Sequence, residues 1–205
     1  MSQAAIQADA PALVLASQSA ARAALLHAAG LRFEARPARV DEDAVKRSLR
    51  ADGASPEDAA LVLASLKAQR IRDAATLVIG ADQLLVCRED WFDKPGDMAT
   101  ARDHLRRLRG REHRLVTAVV CHRGGTEVWR HVAAPRLSMR GFSDAFLDAY
   151  LAAEGDAILG CVGAYRLEGR GMHLFDRVEG EHAAVLGLPM LQLLGFLRGH
   201  GVLLR

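Results

Sequence analysis

From Thr76 to Ala81 the chain reads Thr-Leu-Val-Ile-Gly-Ala, with no charged side chain on either face that a strand would present. A strand apolar on both faces must be covered on both, so this segment is expected to be a buried central strand. A second apolar run, Leu13 to Ser17, reads as another strand. It leads through a serine-rich turn into a helix over Ala20 to Ala29, with Ser17 or Ser19 as cap and Gly30 as stop. The expected class is mixed α/β.

The remaining elements follow from the same signals. Arg32 to Pro37 alternates as a strand, followed by an acidic turn at Val40-Asp41-Glu42-Asp43 and a short polar helix. Ser55-Pro56-Glu57-Asp58 is a strong helix start, with the helix running to about Arg72. Leu84 to Cys87 continues the sheet after a bend, Trp91 to Gly96 is a turn, and Met98 to Leu108 is a helix ended by Gly110. Leu115 to Cys121 and Val128 to Arg136 should pair as a hairpin around Gly124-Gly125. Phe142 to Ala153 reads as a helix, and Val162–Leu167 with Met172–Val178 as a hairpin around Glu168-Gly169-Arg170-Gly171. Leu188-Pro189 opens a last helix. Residues 1–10 are expected to be a flexible terminus, and 11–205 a single two-lobed domain.

Composition narrows the function. With 27 Lys and Arg against 25 Asp and Glu, the chain lacks the long-range field of a nucleic-acid binder. Charges or glycines interrupt every apolar stretch before it reaches the ~20 residues that span a bilayer, and residues 1–10 lack the pattern of a secretory signal. The expectation is a soluble, cytoplasmic protein that binds neither nucleic acid nor membrane. Cys87, Cys121 and Cys161 show no CxxC spacing and read as packing residues. The histidines, His113 among them, show no paired metal spacing, and no GxxxxGK[ST] or strand-following GxGxxG is present.

Several residues could carry chemistry. Arg22 falls in the first turn of a helix, where the dipole disfavours a cation unless an anion is shared with the free N–H groups; a phosphate would serve. Ser17 and Asp82 end predicted strands, the edge at which open α/β sheets bind ligands. Asp82 follows the small pair Gly80-Ala81, so a ligand or ion could approach it closely; alternatively it caps the next turn. Lys67 lies on the helical line of Leu63 and Ile71 and needs either a partner or a snorkelling route to water. Lys94, held extended by Pro95, either reaches a phosphate or is an ordinary loop lysine. Glu42 could join Asp82 around a hard divalent cation, or belong to a solvated acidic turn.

Taken together, Leu15–Arg22, Val40-Asp41-Glu42, Leu63–Ala68, Gly80-Ala81-Asp82-Gln83, Lys94-Pro95, Leu108–His113, Gly163-Ala164-Tyr165 and Gly187-Leu188-Pro189 resemble, in order and spacing, the Maf family of nucleoside triphosphate pyrophosphatases. The resemblance spans nearly the whole chain. It implies a Maf/ITPase-like elongated mixed sheet with a cleft between two lobes, often as a homodimer. It also implies hydrolysis of a nucleoside triphosphate to the monophosphate and pyrophosphate, as a house-cleaning activity. Asp82 would be the general base or orient a metal-bound water, and Glu42 and Asp82 would hold Mg²⁺ or Mn²⁺. Ser17, Arg22, Lys67 and Lys94 would bind the triphosphate.

The family usually has Pro-Arg or Pro-Trp where this chain has Ala20-Ala21, and that position bears on the choice of base. Gln83 and Glu168 resemble the branch that accepts 7-methyl-GTP rather than the dTTP and UTP branch, and a carboxylate at Glu168 can accept from two N–H groups of a guanine edge. The alternatives are a dTTP/UTP pyrophosphatase, a non-catalytic nucleotide-binding regulator of cell division, and a phosphohydrolase acting on sugar phosphates or nucleoside diphosphates.

Overall fold

The computed structural model describes residues 6–204; residues 1–5 of the expected flexible terminus lie outside the described residues. The chain is α/β, with eight strands in one mixed sheet and seven α-helices among the described residues. In chain order these are β1 (Ala12–Leu15), α1 (Ala20–Ala28), β2 (Glu34–Ala35), α2 (Glu42–Ala51), α3 (Pro56–Gln69), β3 (Thr76–Cys87), β4 (Asp90–Phe92) and α4 (Met98–Leu108). There follow β5 (Glu112–Arg123), β6 (Thr126–Ala133), β7 (Arg136–Met139), α5 (Asp144–Glu154), β8 (Phe175–Glu179), α6 (His182–Val185) and α7 (Met190–Gly199). The strand order is β2-β1-β3-β5-β7-β8, with β4 on β3 and β6 on β5. None of the described helices is long and apolar enough to cross a membrane.

Local chemistry accounts for the helix starts. Ser19, Asp41, Ser55, Asp97 and Ser143 each accept a hydrogen bond from a backbone N–H three residues on, capping α1 to α5. Pro56 sits at the first position of α3, where its missing N–H costs nothing. The acidic segment expected as a turn is therefore a helix start: Asp41 is the cap and Glu42 the first residue of α2.

The chain divides into two compact units, between which β3 and β5 are shared along their length. The first comprises the chain up to Asp82, Thr117–Ala133 and the stretch from Gly187 on. In it β1 runs parallel to both β2 and β3, with Leu13 opposite Leu77 and Leu15 opposite Ile79. Leu15, Leu26, Leu63, Ile79, Val119, Leu193 and Leu197 are buried there. Near the terminus, Gln7 bridges to Leu203, and its side chain exchanges hydrogen bonds with the backbone of Arg32.

The second unit comprises Gln83–Val116 and Ala134–Leu186. Its core is an apolar cluster that includes Leu85, Phe92, Leu105, Leu137, Leu147, Ile158 and Leu174. Three expectations fail here or nearby. The Trp91–Gly96 turn begins in β4, which folds back on β3 through Arg88-Glu89 with Arg88 at φ +58°. The hairpin over 162–178 does not form: Gly163 and Ala164 at φ +77° and +59° curl the chain into short 3₁₀ turns, and β8 pairs with β7 instead. The strand expected over 32–37 shrinks to Glu34–Ala35, an edge strand paired with β1.

Candidate active site

The site residues of the first unit come together where α3 packs on β3. On β3, alternation puts Gly80 and Asp82 on the same face. A Cβ at Gly80 would lie 2.2 Å from the Ala64 carbonyl oxygen and 3.0 Å from the Ala68 Cβ, so only glycine admits α3 at this distance. The space beside Gly80 is thus filled by helix backbone, not left for a ligand as its small size suggested. The same close approach brings Lys67, one position before Ala68, onto Asp82.

Lys67 does not snorkel. Its ammonium donates to Asp82 Oδ1 at 2.6 Å and lies 2.7 Å from Glu42 Oε1. Side-chain exposure is 9% for Lys67, 5% for Asp82 and 34% for Glu42, so the trio runs from the interior to the surface. Removing one member of so buried a pair would leave an uncompensated charge, at a cost of about 3–5 kcal/mol. The other oxygen of Asp82, Oδ2, is buried and has no hydrogen-bond partner. A buried carboxylate oxygen without a donor is a place for a water proton, a cation or a ligand.

Arg22 occupies the first turn of α1, as expected, but its guanidinium turns inward. Nε donates to the Gly187 carbonyl at 2.8 Å, and Nη1 to the Ala81 carbonyl at 3.0 Å and to Ser17 Oγ at 3.3 Å. The cation that looked misplaced on a helix N-terminus is stabilised by backbone carbonyls contributed by residues far away in sequence. Burial lowers its pKa, and the carboxylates of Asp82 and Glu42 oppose that shift. Gly187, at φ +100°, leaves room for the side chain: a Cβ there would meet Nε at 3.1 Å. Ser17 Oγ also accepts from the Ser19 N–H, closing the turn before α1.

Asp82, Lys67, Glu42, Arg22 and Ser17 therefore lie within one unit. Gln83, Lys94 and Glu168 belong to the other. Alternation turns Gln83 to the opposite face of β3 from Asp82, where its amide nitrogen donates to the carbonyls of Ala184 and Val185 at 3.1 and 3.0 Å. Lys94 is exposed in the loop between β4 and α4. The Glu168 carboxylate, 37% exposed, accepts from Arg166 Nε at 3.3 Å. Lys94 and Glu168 both act electrostatically on Cys161, whose thiol pKa is raised chiefly by burial.

The sequence did not disclose the carbonyls of Ala81 and Gly187 as partners of Arg22; Gly187 before Leu188-Pro189 was the available signal. His113, read as structural, is buried with Nε2 2.8 Å from the Tyr165 hydroxyl. Desolvation lowers its pKa to about 4.

Comparison with known proteins gives the family. The family described as Maf-like protein matches residues 12–200. The chain belongs to the Maf family. Among Maf relatives, a nucleoside triphosphate pyrophosphatase of Granulibacter bethesdensis is 56% identical over 193 residues, covering 93% of this chain and 98% of the relative. One of Rhodospirillum rubrum is 51% identical, covering 95% and 97%. A 7-methyl-GTP pyrophosphatase of Rhizobium meliloti is 48% identical, covering 94% and 98%.

Proposed function

We propose that this Maf protein hydrolyses a nucleoside triphosphate between the α- and β-phosphates, releasing the monophosphate and pyrophosphate. The observation that carries the reading is Asp82: a buried carboxylate with one oxygen held by Lys67 and the other unpartnered. Its bond to Lys67 fixes the carboxylate, and the unpartnered Oδ2 is the atom that takes the proton of the attacking water. The water oxygen bonds to the α-phosphorus as the bridging oxygen leaves with pyrophosphate. Relatives named for this activity cover nearly the whole chain, which supports the assignment.

The donor set fits a hard divalent cation. Among the described residues no group of three or more His, Cys, Asp or Glu side chains could hold a metal ion. Mg²⁺ and Mn²⁺ suit one or two carboxylates, here Asp82 and Glu42, with phosphate oxygens and water completing the set. Bound there, the ion would supply positive charge against the charge that builds up on the phosphates. The backbone N–H groups at the start of α1, ordered by Ser17 and Ser19, together with Lys67, would bind the triphosphate. Arg22 Nη2, which makes none of the three hydrogen bonds of that guanidinium, adds one more donor.

The proposed base is guanine, 7-methylated in the preferred substrate. Glu168 supports this as a partly exposed carboxylate, a double acceptor for a guanine edge. Relatives named 7-methyl-GTP pyrophosphatase are 48% and 46% identical to this chain. The test is pyrophosphate release from GTP, 7-methyl-GTP, dTTP, UTP and CTP with Mg²⁺ or Mn²⁺. Asp82→Asn should lower turnover ~10²–10⁴-fold while the fold is retained. Full turnover by Asp82→Asn would refute the role of Asp82, and a lead for dTTP or UTP would refute the base assignment.

A further inference from the structure

The two carboxylates proposed to hold the metal already share a cation. The Lys67 ammonium sits 2.6 Å from Asp82 Oδ1 and 2.7 Å from Glu42 Oε1, on a side chain only 9% exposed. Arg22, buried nearby, feels the same two carboxylates. These four side chains carry two positive and two negative charges. A bare divalent ion arriving there would meet an ammonium in direct contact with its intended ligands and a guanidinium close behind. Like charges at such range in a low-dielectric site repel strongly.

A triphosphate changes that balance, since its oxygens offer the ammonium a second anionic partner. The lysine can take it: four methylenes and a rotatable ammonium let Nζ re-aim without moving the backbone, which a rigid guanidinium fork cannot do as freely. The backbone under it lies close on β3, since a Cβ at Gly80 would stand 2.2 Å from the Ala64 carbonyl oxygen.

We infer that Lys67 is a resident stand-in for the divalent cation: it holds Glu42 and Asp82 together in the nucleotide-free protein, bars the bare metal ion, and transfers to the triphosphate when nucleotide and metal enter together. Asp82 Oδ2, buried and without a hydrogen-bond partner, is left to the attacking water. This rests on the pyrophosphatase reading above and adds an order of binding to it.

The experiment measures Mn²⁺ binding, not turnover, by the electron paramagnetic resonance signal of free Mn²⁺. In the absence of nucleotide, Lys67→Gln and Lys67→Met should bind Mn²⁺ at least about tenfold more tightly than wild type. Lys67→Arg, which keeps a cation in place, should stay as weak as wild type. In the wild-type protein alone, a non-cleavable α,β-methylene triphosphate analogue should raise Mn²⁺ affinity beyond that of the analogue in buffer, a comparison that needs no variant to fold. Neutral variants no tighter than wild type would overturn the inference. So would wild-type protein that binds Mn²⁺ equally well with and without the analogue. Pyrophosphate release by wild type separates the two levels: release with a failed Mn²⁺ result sinks the stand-in role alone, and no release from any triphosphate sinks the pyrophosphatase reading itself.

Discussion

Replacing Gly80 with alanine puts one methyl group against the backbone of α3. The new Cβ would stand 2.2 Å from the Ala64 carbonyl oxygen, 3.0 Å from the Ala68 Cβ and 3.1 Å from the Ala68 nitrogen. Two of those three atoms are helix backbone and cannot rotate away. To restore ordinary contact near 3.4 Å, α3 must recede from β3 by about 1.2 Å. Overpacking of this kind costs about 1–3 kcal/mol, occasionally more. At this chain length each kcal/mol lowers the melting temperature by roughly 2–4 °C, so a fall of about 2–12 °C is expected. The same recession shifts the backbone under Lys67, so its 2.6 Å contact with Asp82 must be remade from a displaced helix. A misplacement of about 1 Å at a reacting site can cost ~10²-fold in rate. The assay pairs a thermal melt with pyrophosphate release, using Gly96→Ala as control because a Cβ at Gly96 meets nothing within 4 Å. If Gly80→Ala melted and turned over like the control, the argument that this glycine sets the Lys67–Asp82 contact would be wrong.

Other outcomes are equally specific. Arg22→Met should leave the carbonyls of Ala81 and Gly187 without their donor, at about 1–3 kcal/mol for each group so stranded, and urea denaturation would show the loss as a lower midpoint. His113 is neutral in the fold, its pKa lowered to about 4 by burial, whereas an unfolded histidine titrates near 6.5. Between those values the unfolded state binds the extra proton, so its contribution to stability is full above about pH 6.5 and fades as pH falls toward 4, by up to about 3 kcal/mol. Melting temperatures taken across that window should fall less steeply for His113→Gln than for wild type; parallel curves would place the pH response on His104 or His122, whose pKa values burial also lowers.

How much was legible in the sequence depended on how local the cause was. The helix expected from about Met98 to Leu108 is legible because its stop, Gly110, lies within two positions of its end. The starts at Ser19 and Ser55 were visible for the same reason: a cap acts over three residues. The hairpin over 162–178 misled because alternation and glycines are also what an irregular run of 3₁₀ turns looks like, and only pairing with β7 decides between them. In the site, Asp82, Lys67 and Glu42 were each singled out, yet each had an ordinary alternative as a cap, a snorkelling lysine or a solvated turn. What removes those alternatives is their meeting, which depends on the packing of α3 on β3 at Gly80. Nothing near Arg22 in sequence reveals the distant carbonyls that receive two arms of its guanidinium.

The bond from Arg22 to Gly187 joins residues 165 positions apart. A growing chain exposes Arg22, Glu42, Lys67 and Asp82 early, and the whole of the second unit emerges before Gly187 does. Until then the Nε arm of the guanidinium lacks the Gly187 carbonyl that accepts from it. Chains truncated before Gly187 should carry every charged residue of the site and still fail to assemble it, so that premature termination yields an inert fragment rather than a partly folded hydrolase.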